Sequence, residues 1–407
     1  MGYCTEQLNR LTGVMAQNHA LVFGASGITG WAITNAIING YPDTSPFQSV
    51  TALTNRPLSR EVAQWPDSDI LQVVSGLDLL TTKGQDGLEQ DMKRGIKGIE
   101  KVTHVYFFAY IMDQDPAKEV EINIQLLTRA ITAVQNLSPN LQFVVMATGT
   151  KTYGVHLLDK FPFGDSLPLH EDLPPIPEPY VSQMFYYAQI DTLKKLSAGK
   201  AWNWCEVIPD NIIGFVPNNN IYCLAQTLAT YLALYVAVEG KGAECAFPGT
   251  EKSWAILSNE CNQDSVAKFA VHASLHPEVS AGGRFNIADS ATPSSWSRKW
   301  PVICEYFGLK GTAPPPGGSG PQPGRYVEQH MVRWKELETK YGLQTGRVGN
   351  ERSSGGFQHF IMSMFDFDRQ LDMRRAHEVW GDMKEELDEE GSWWMTFDRF
   401  RKAKIIP

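Results

Sequence analysis

The chain has 407 residues, 43% hydrophobic and 20% charged, and carries a formal charge of −9. That length supports one large α/β core with an elaborated second lobe, or two domains, and the composition is that of a globular protein rather than a disordered one. The negative balance disfavours a nucleic-acid partner, which needs a basic face to displace counterions, and no apolar run reaches the roughly 18 residues of a spanning helix, so no membrane role is expected.

The opening MGYCTEQL lacks the charged-then-apolar pattern of a secretion signal, and Glu6 stands where a myristoylation site needs Ser or Thr. Cytoplasmic residence is therefore the expectation. Cys4, Cys205, Cys223, Cys245, Cys261 and Cys304 are scattered, with no C-x-x-C pair and no His at ligand spacing. Free thiols fit this better than a disulfide frame or a zinc site, and no metal is expected.

Residues 20–23 (ALVF) form a short apolar run, followed by GASGITG and then WAITNAIING with apolar residues at helical spacing. The same strand, turn, helix grammar recurs: strands are predicted at 49–53, 70–74, 103–109 and 141–147, and helices at 85–97 and 116–136. The runs are continuously apolar rather than alternating, as strands covered on both faces are. This predicts an α/β fold with a Rossmann-type, doubly wound parallel sheet and a mostly helical C-terminal substrate lobe.

EDLPPIPEPY at 171–180 reads as a surface loop, since its prolines forbid helix and most ladder pairing. A long helix is predicted at 183–198, and an apolar run follows at 205–208. The run LAQTLATYLALYVAV at 224–238 is broken by Gln226, Thr227 and Thr230 and reads as a buried helix. The Pro/Gly-rich stretch at 308–324 is expected to be a mobile insertion. The domain reading is a dinucleotide-binding part over 1–215, with 254–290 returning to it, and a substrate lobe from 216–253 and 291–407.

Gly24, Gly27 and Gly30 follow a strand and open a helix, the context in which G-x-x-G-x-x-G marks a pyrophosphate cradle. Ser26, Ile28 and Thr29 add backbone donors at the helix N-terminus, where amides face an anion. One glycine would suffice for a plain turn. The second strand runs into Thr54, Asn55 and Arg56 with no carboxylate to hold an adenosine ribose, so NADPH is favoured over NADH. Arg56 could equally be a solvated loop charge. Asp78, after the third strand, could accept the adenine amino group or be an ordinary surface acid.

The Y-x-x-x-K pair of short-chain dehydrogenases is missing, because Tyr186 in FYYAQID is followed four residues later by Ile190. Lys151, in ATGTKTYG at the end of the fifth strand, stands where the sheet's C-terminal edge would face the nicotinamide. TGTKTYG at 148–154, FYYAQID, IPDNIIGFVP at 208–217, THVYFFAY at 103–110, FPGTEKSWAILSNE at 247–260 and the closing KIIP resemble the progesterone 5β-reductase and iridoid synthase family of extended short-chain dehydrogenases, and particularly its fungal branch.

The resemblance implies NADPH-dependent reduction of an electron-poor C=C bond conjugated to a carbonyl. The tyrosine corresponding to Tyr186 would hold the carbonyl oxygen as negative charge develops, and the lysine corresponding to Lys151 would replace the missing helix lysine. A phenol of ordinary pKa about 10 gains from a nearby cation in such a role. The chain departs from the family at Ile190, where an acid is common, and at Ile208, Pro209 and Asp210, where R-P-G is usual. Leu157 falls where plant members carry a pocket aromatic, so substrate identity does not transfer.

Tyr110, Tyr153, Phe357 and Phe360 are further pocket candidates for a small hydrophobic substrate, core packing being the equal alternative, and Met362, Met364, Phe365 and Phe367 extend that patch. His156 could reach the pocket or lie solvated in its loop. A homodimer is left open. Three other readings share the fold: imine or ketone reduction or guided cyclisation, an NmrA-like regulator that normally lacks the catalytic pair, and a nucleotide-sugar epimerase, which would retain Y-x-x-x-K. A serine hydrolase would need a G-x-S-x-G elbow, whereas Ser26 sits in GASGI.

Overall fold

Short apolar runs rich in Val, Leu and Phe alternate with amphipathic stretches, and each apolar run becomes a strand covered on both faces. The computed structural model describes residues 18–42, 46–349, 353 and 356–407. Cys4 and Glu6 lie outside the described residues. Strands β1 (Asn18–Phe23), β2 (Phe47–Thr54), β3 (Leu71–Ser75), β4 (His104–Phe107), β5 (Phe143–Ala147), β6 (Asn203–Pro209) and β7 (Arg284–Ile287) form one seven-stranded sheet in the order β7-β6-β5-β4-β1-β2-β3. Every pairing is parallel. The chain winds one way from β1 to β3 and the other way from β4 onward. The C-terminal ends of β1 and β4 therefore part, leaving the crevice in which such sheets bind ligands.

Helices cover both faces. On one side α2 (Gly84–Gly95), α3 (Pro116–Leu137) and α4 (Phe185–Ser197) bury Leu88, Met92, Leu127, Ile131 and Leu193 against Leu21, Val105 and Val144. On the other, α1 (Ile28–Ile38) and α6 (Gln263–Leu275) bury Trp31, Ile33, Val266 and Phe269 in a core that continues into the C-terminal lobe. That lobe holds the buried helix α5 (Leu224–Glu239), α7 (Trp296–Glu305) and α8 (Glu389–Lys402). Trp393 is fully buried, its ring 5.7 Å from Phe397, and its indole N–H donates to Glu260 Oε2 at 2.8 Å. Burying a large apolar side chain contributes about 1.5–3 kcal/mol, so the aromatic residues of this lobe are structural capital as well as cover for the sheet edge.

The Pro/Gly-rich stretch at 308–324 is not the free insertion its composition suggests. Lys310–Thr312 forms a strand paired in parallel with Glu244–Ala246, and the Gly320 amide donates to the Phe247 carbonyl at 2.8 Å. Its prolines begin only after this strand, so they do not interrupt the ladder. Among the described residues no helix is long and apolar enough to cross a membrane.

Candidate active site

The glycine turn is fixed by steric necessity. Gly24 has φ +79°, and a Cβ there would lie 2.6 Å from the Phe108 carbonyl oxygen. A Cβ on Gly30 would collide with the carbonyl of Gly24, so α1 can leave β1 only by this tight path. Ala25 N–H donates to Leu53 O at 3.0 Å and Gly27 N–H to Gly24 O at 2.9 Å. Gly27 caps α1 with no side-chain acceptor and no acid in the first turn, which leaves the following amides to face an anion.

Two cavities open from this turn. One, of about 380 Å³, is lined by Gly24, Ser26, Gly27, Asn55, Arg56 and Asp78. The other, of about 330 Å³, is lined by Gly27, Ile28, Thr29, Gly30, Lys151, Tyr186 and the apolar groups Phe357 and Phe360. They share Gly27, Phe108, Ala109, Tyr110 and Asn220, so they form one trough across the switch point. In the first cavity Thr54 Oγ1 donates to Arg56 O at 2.7 Å and accepts from the Ser75 hydroxyl at 3.0 Å, tying the end of β2 to β3. The Arg56 side chain is exposed and makes no ion pair among the described residues. Asp78 accepts from the Leu80 amide at 2.9 Å in its own turn.

The second cavity owes its shape to alternating threonines in TGTKTYG. Thr148 donates to Glu206, Thr150 Oγ1 donates to Asp210 Oδ1 at 2.7 Å, and Thr152 Oγ1 accepts from Arg284 at 3.1 Å. Thr152's carbonyl also accepts from Tyr187 Oη at 2.5 Å. With three hydroxyls held toward β6 and β7, Lys151, between the last two of them, faces the cavity. Its ammonium makes no ion pair among the described residues, and the surrounding wall desolvates it and lowers its pKa, with Glu119 opposing.

Tyr186, in the first turn of α4, also lines this cavity and its hydroxyl has no hydrogen-bond partner among the described residues. The Gly149 turn passes close by it: a Cβ there would stand in van der Waals contact, 3.6 Å from the Tyr186 oxygen. Burial, then Glu119, Tyr222 and Glu206, all raise the phenol's pKa, so it is a neutral donor at any physiological pH. No hydrogen bond joins it to Lys151, and the two meet through the shared cavity.

Further out, Tyr110 stacks on Phe185 at 5.3 Å and donates to Glu119 at 2.5 Å, while Tyr222 meets Phe357 edge-on at 5.4 Å. At the floor a fully buried ion pair joins Arg369 Nε to Asp210 Oδ2 at 2.9 Å. The Arg369 guanidinium lies 4.6 Å from the centre of the Phe365 ring, which lines the cavity. A glycine cradle, a trough across the switch point and unpartnered donors at its inner end are what a dinucleotide and a second molecule would require.

A model of the PRISE-like Rossmann-fold domain matches residues 20–407. The chain belongs to that family. This PRISE-like protein is an oxidoreductase of the extended short-chain dehydrogenase type. It is 33% identical over 392 residues to the short chain dehydrogenase sirQ of Leptosphaeria maculans, covering 95% of this chain and 97% of the relative. It is 26% identical over 297 residues to the 3-oxo-Delta(4,5)-steroid 5-beta-reductase of Arabidopsis thaliana, covering 72% and 66%. It is 23% identical over 399 residues to the (S)-8-oxocitronellyl enol synthase ISY1 of Nepeta cataria, covering 95% and 93%. Among solved structures, the UDP-N-acetylglucosamine 4-epimerase of Methanobrevibacter ruminantium M1 superposes with a TM-score of 0.59 at 14% identity, covering 96% of this chain and 99% of that one. That likeness concerns the fold alone.

Of the residues singled out from sequence, Tyr110, Phe357 and Phe360 line the inner cavity of the PRISE-like enzyme with Lys151 and Tyr186. Tyr153 does not. It is 2% exposed in the core, and its hydroxyl donates to Asn286 Oδ1 at 2.8 Å, because the turn that presents Lys151 rotates the residue two places on away from the cavity. Leu157 also lies outside the lining and packs back on its own turn, 3.3 Å from where a Gly154 Cβ would sit. Of the four residues expected to extend that patch, only one reaches the lining. Met362 is in the core, Met364 is exposed and Phe367 stacks on Phe161, leaving Phe365 to face the cavity. His156 is half-buried, with its pKa lowered to about 4 by burial and by the charge of Lys151. Gln189, Asp210, Asn211 and Tyr222 also line the cavity; the first three lie inside the FYYAQID and IPDNIIGFVP stretches but were not singled out as pocket residues.

Proposed function

We propose that this enzyme uses NADPH to reduce a C=C bond conjugated to a carbonyl, within specialised metabolism. The observation that carries the reading is the phenol of Tyr186, unpartnered and facing the same cavity as Lys151 behind a glycine cradle. The trough has room and donors for a dinucleotide, with Gly24, Ser26, Gly27 and the α1 amides toward its phosphates and Asn55, Arg56 and Asp78 toward its adenosine. Arg56, exposed at the rim with no carboxylate at the end of β2, supports a 2′-phosphate and hence NADPH. The dihydronicotinamide, when bound, supplies a hydride.

The chain's own residues then do three things. Tyr186 donates a hydrogen bond to the substrate carbonyl oxygen and strengthens that bond as negative charge develops, an effect whose loss costs about 10²–10³ in rate at comparable sites. Lys151, with no ion pair among the described residues, adds positive potential at the same end of the cavity. Phe185, Tyr222, Phe357, Phe360 and Phe365 keep water out and give an apolar wall for a hydrophobic substrate. A cytoplasmic setting belongs to this reading, supported by five described cysteines that are free and buried.

The test follows absorbance at the nicotinamide band with NADPH and a panel of enones, ketones and imines, with products identified by mass. Saturated carbonyl products from enones support the proposal. NADPH consumption with only ketones or imines, or a transformed substrate without NADPH consumption, replaces it with carbonyl or imine reduction or with guided cyclisation. Binding of NADPH with no turnover of any substrate points instead to a regulator.

A further inference from the structure

Lys151 stands on a single short turn, Thr150–Tyr153, of three-residue pitch, and its ammonium has no ion pair among the described residues. A turn of that kind has poor hydrogen-bond geometry of its own and fixes a side chain less firmly than a helix does. What places the lysine must therefore act on the turn, and the side chains that do so come from the edge of the sheet. β7 pairs with β6 so that Arg284 stands directly opposite Glu206. Residues two apart on a strand share a face, so Arg284 and Asn286 both look toward the turn.

Arg284 Nε donates to the carboxylate of Glu206, a residue 0% exposed that also accepts from the Thr148 hydroxyl. Arg284 Nη2 donates to Thr152 Oγ1 at 3.1 Å and its Nη1 to Glu171 O at 3.4 Å, while Asn286 Oδ1 accepts from Tyr153 Oη at 2.8 Å. From the other side Tyr187 of α4 holds the Thr152 carbonyl. A buried ion pair adds little net stability over apolar side chains of the same volume, so stability does not account for Arg284 and Glu206. What they supply is geometry: the rigid fork of a guanidinium reaches a carboxylate with one N–H and a hydroxyl with another, which an ammonium cannot do at once. We infer that Arg284 is a positioning residue, which together with Glu206 fixes the turn so that Lys151 stays at the inner end of the cavity. This rests on the role proposed for Lys151.

Competitive acetylation of the full chain with acetic anhydride, followed at Lys151 by mass spectrometry across pH, reads that placement without turnover. Only the free amine reacts, so the midpoint of the profile reports the surroundings of the ammonium. In wild type the cavity wall desolvates Lys151, Glu119 opposes, and His156 is the titratable neighbour that feels the lysine's charge, so the midpoint should lie below the ordinary lysine range. Thr152→Val removes only the hydroxyl contact, and Arg284→Lys keeps a cation for Glu206 without spanning both partners, so both variants should fold. In each the midpoint is expected to rise toward the ordinary range, and kcat on an enone to fall about tenfold through misplacement. The dissociation constant for NADPH should stay within about twofold of wild type. In a Lys151→Met background the same substitutions should change kcat by less than about twofold, because the group they position is gone. Folded variants in which Lys151 titrates as in wild type overturn the assignment, as does a further tenfold loss of kcat in the Lys151→Met background. A wild type that reduces no enone overturns the reductase reading, and the acetylation midpoint then still decides whether Arg284 places the lysine.

Discussion

Arg369→Met removes the cation from a buried pair in which both side chains are nearly inaccessible, 2% and 4% exposed, and whose atoms lie 2.9 Å apart. Removing one partner of such a pair costs about 3–5 kcal/mol, because the remaining charge stays buried without compensation. Two features of the structure place this case at the low end. The Thr150 hydroxyl continues to donate to Asp210 Oδ1, and Arg369 itself carries a buried Nη1 with no partner, whose cost disappears with it. We expect a loss of about 3 kcal/mol in chemical denaturation. The double variant Arg369→Met, Asp210→Asn, which leaves no charge behind, should recover about 2 kcal/mol of that loss. Because Asp210 also orients the turn that carries Lys151, the single variant should lower turnover as well. A single variant within 1 kcal/mol of wild type, or a double variant no better than the single, would show that the pair does not clamp the cavity floor.

Arg56→Ala should weaken NADPH binding about tenfold while leaving NADH binding unchanged, as measured by titration of each dinucleotide. Ile190→Lys, which restores the Y-x-x-x-K spacing, should not rescue a Lys151→Met variant. Ile190 is 7% exposed in the core between α3 and α4, so the new charge enters apolar packing and should lower the melting temperature. His104 is buried with its pKa lowered to about 4, mainly by loss of solvation, so the folded state binds its proton less readily than the unfolded chain. Its contribution is fully present above the ordinary value of about 6.5 and is lost as pH falls toward 4, at about 1.4 kcal/mol per pH unit. Denaturation from pH 7 to 4.5 should show this slope, and His104→Gln should reduce it.

The sheet was legible because strands covered on both faces must be continuously apolar, and because the glycine turn between β1 and α1 has no room for side chains. Lys151 was legible through its place at a strand end. Tyr153 was not: in a turn of three-residue pitch a residue two places on from Lys151 is rotated about a third of a revolution away from it, and no residue type announces that. Arg369 reaches Asp210 across 159 residues of chain, a contact no local pattern encodes. The acid at 210 was read as a departure from R-P-G, and the structure gives it a partner from the C-terminal lobe. Asn211 sits inside IPDNIIGFVP, but only the fold shows its amide to be buried and orphaned. The stretch at 308–324 misled by composition, since three residues ahead of its prolines were enough to add a strand.

Steady-state turnover of Tyr186→Phe, measured alongside its dissociation constant for NADPH, tests the central claim most directly. Loss of one hydroxyl with no hydrogen-bond partner among the described residues should leave cofactor affinity within about twofold and cut turnover by about 10²–10³. A variant that reduces substrate at the wild-type rate would contradict the account, because the phenol would then have no part in holding the developing charge.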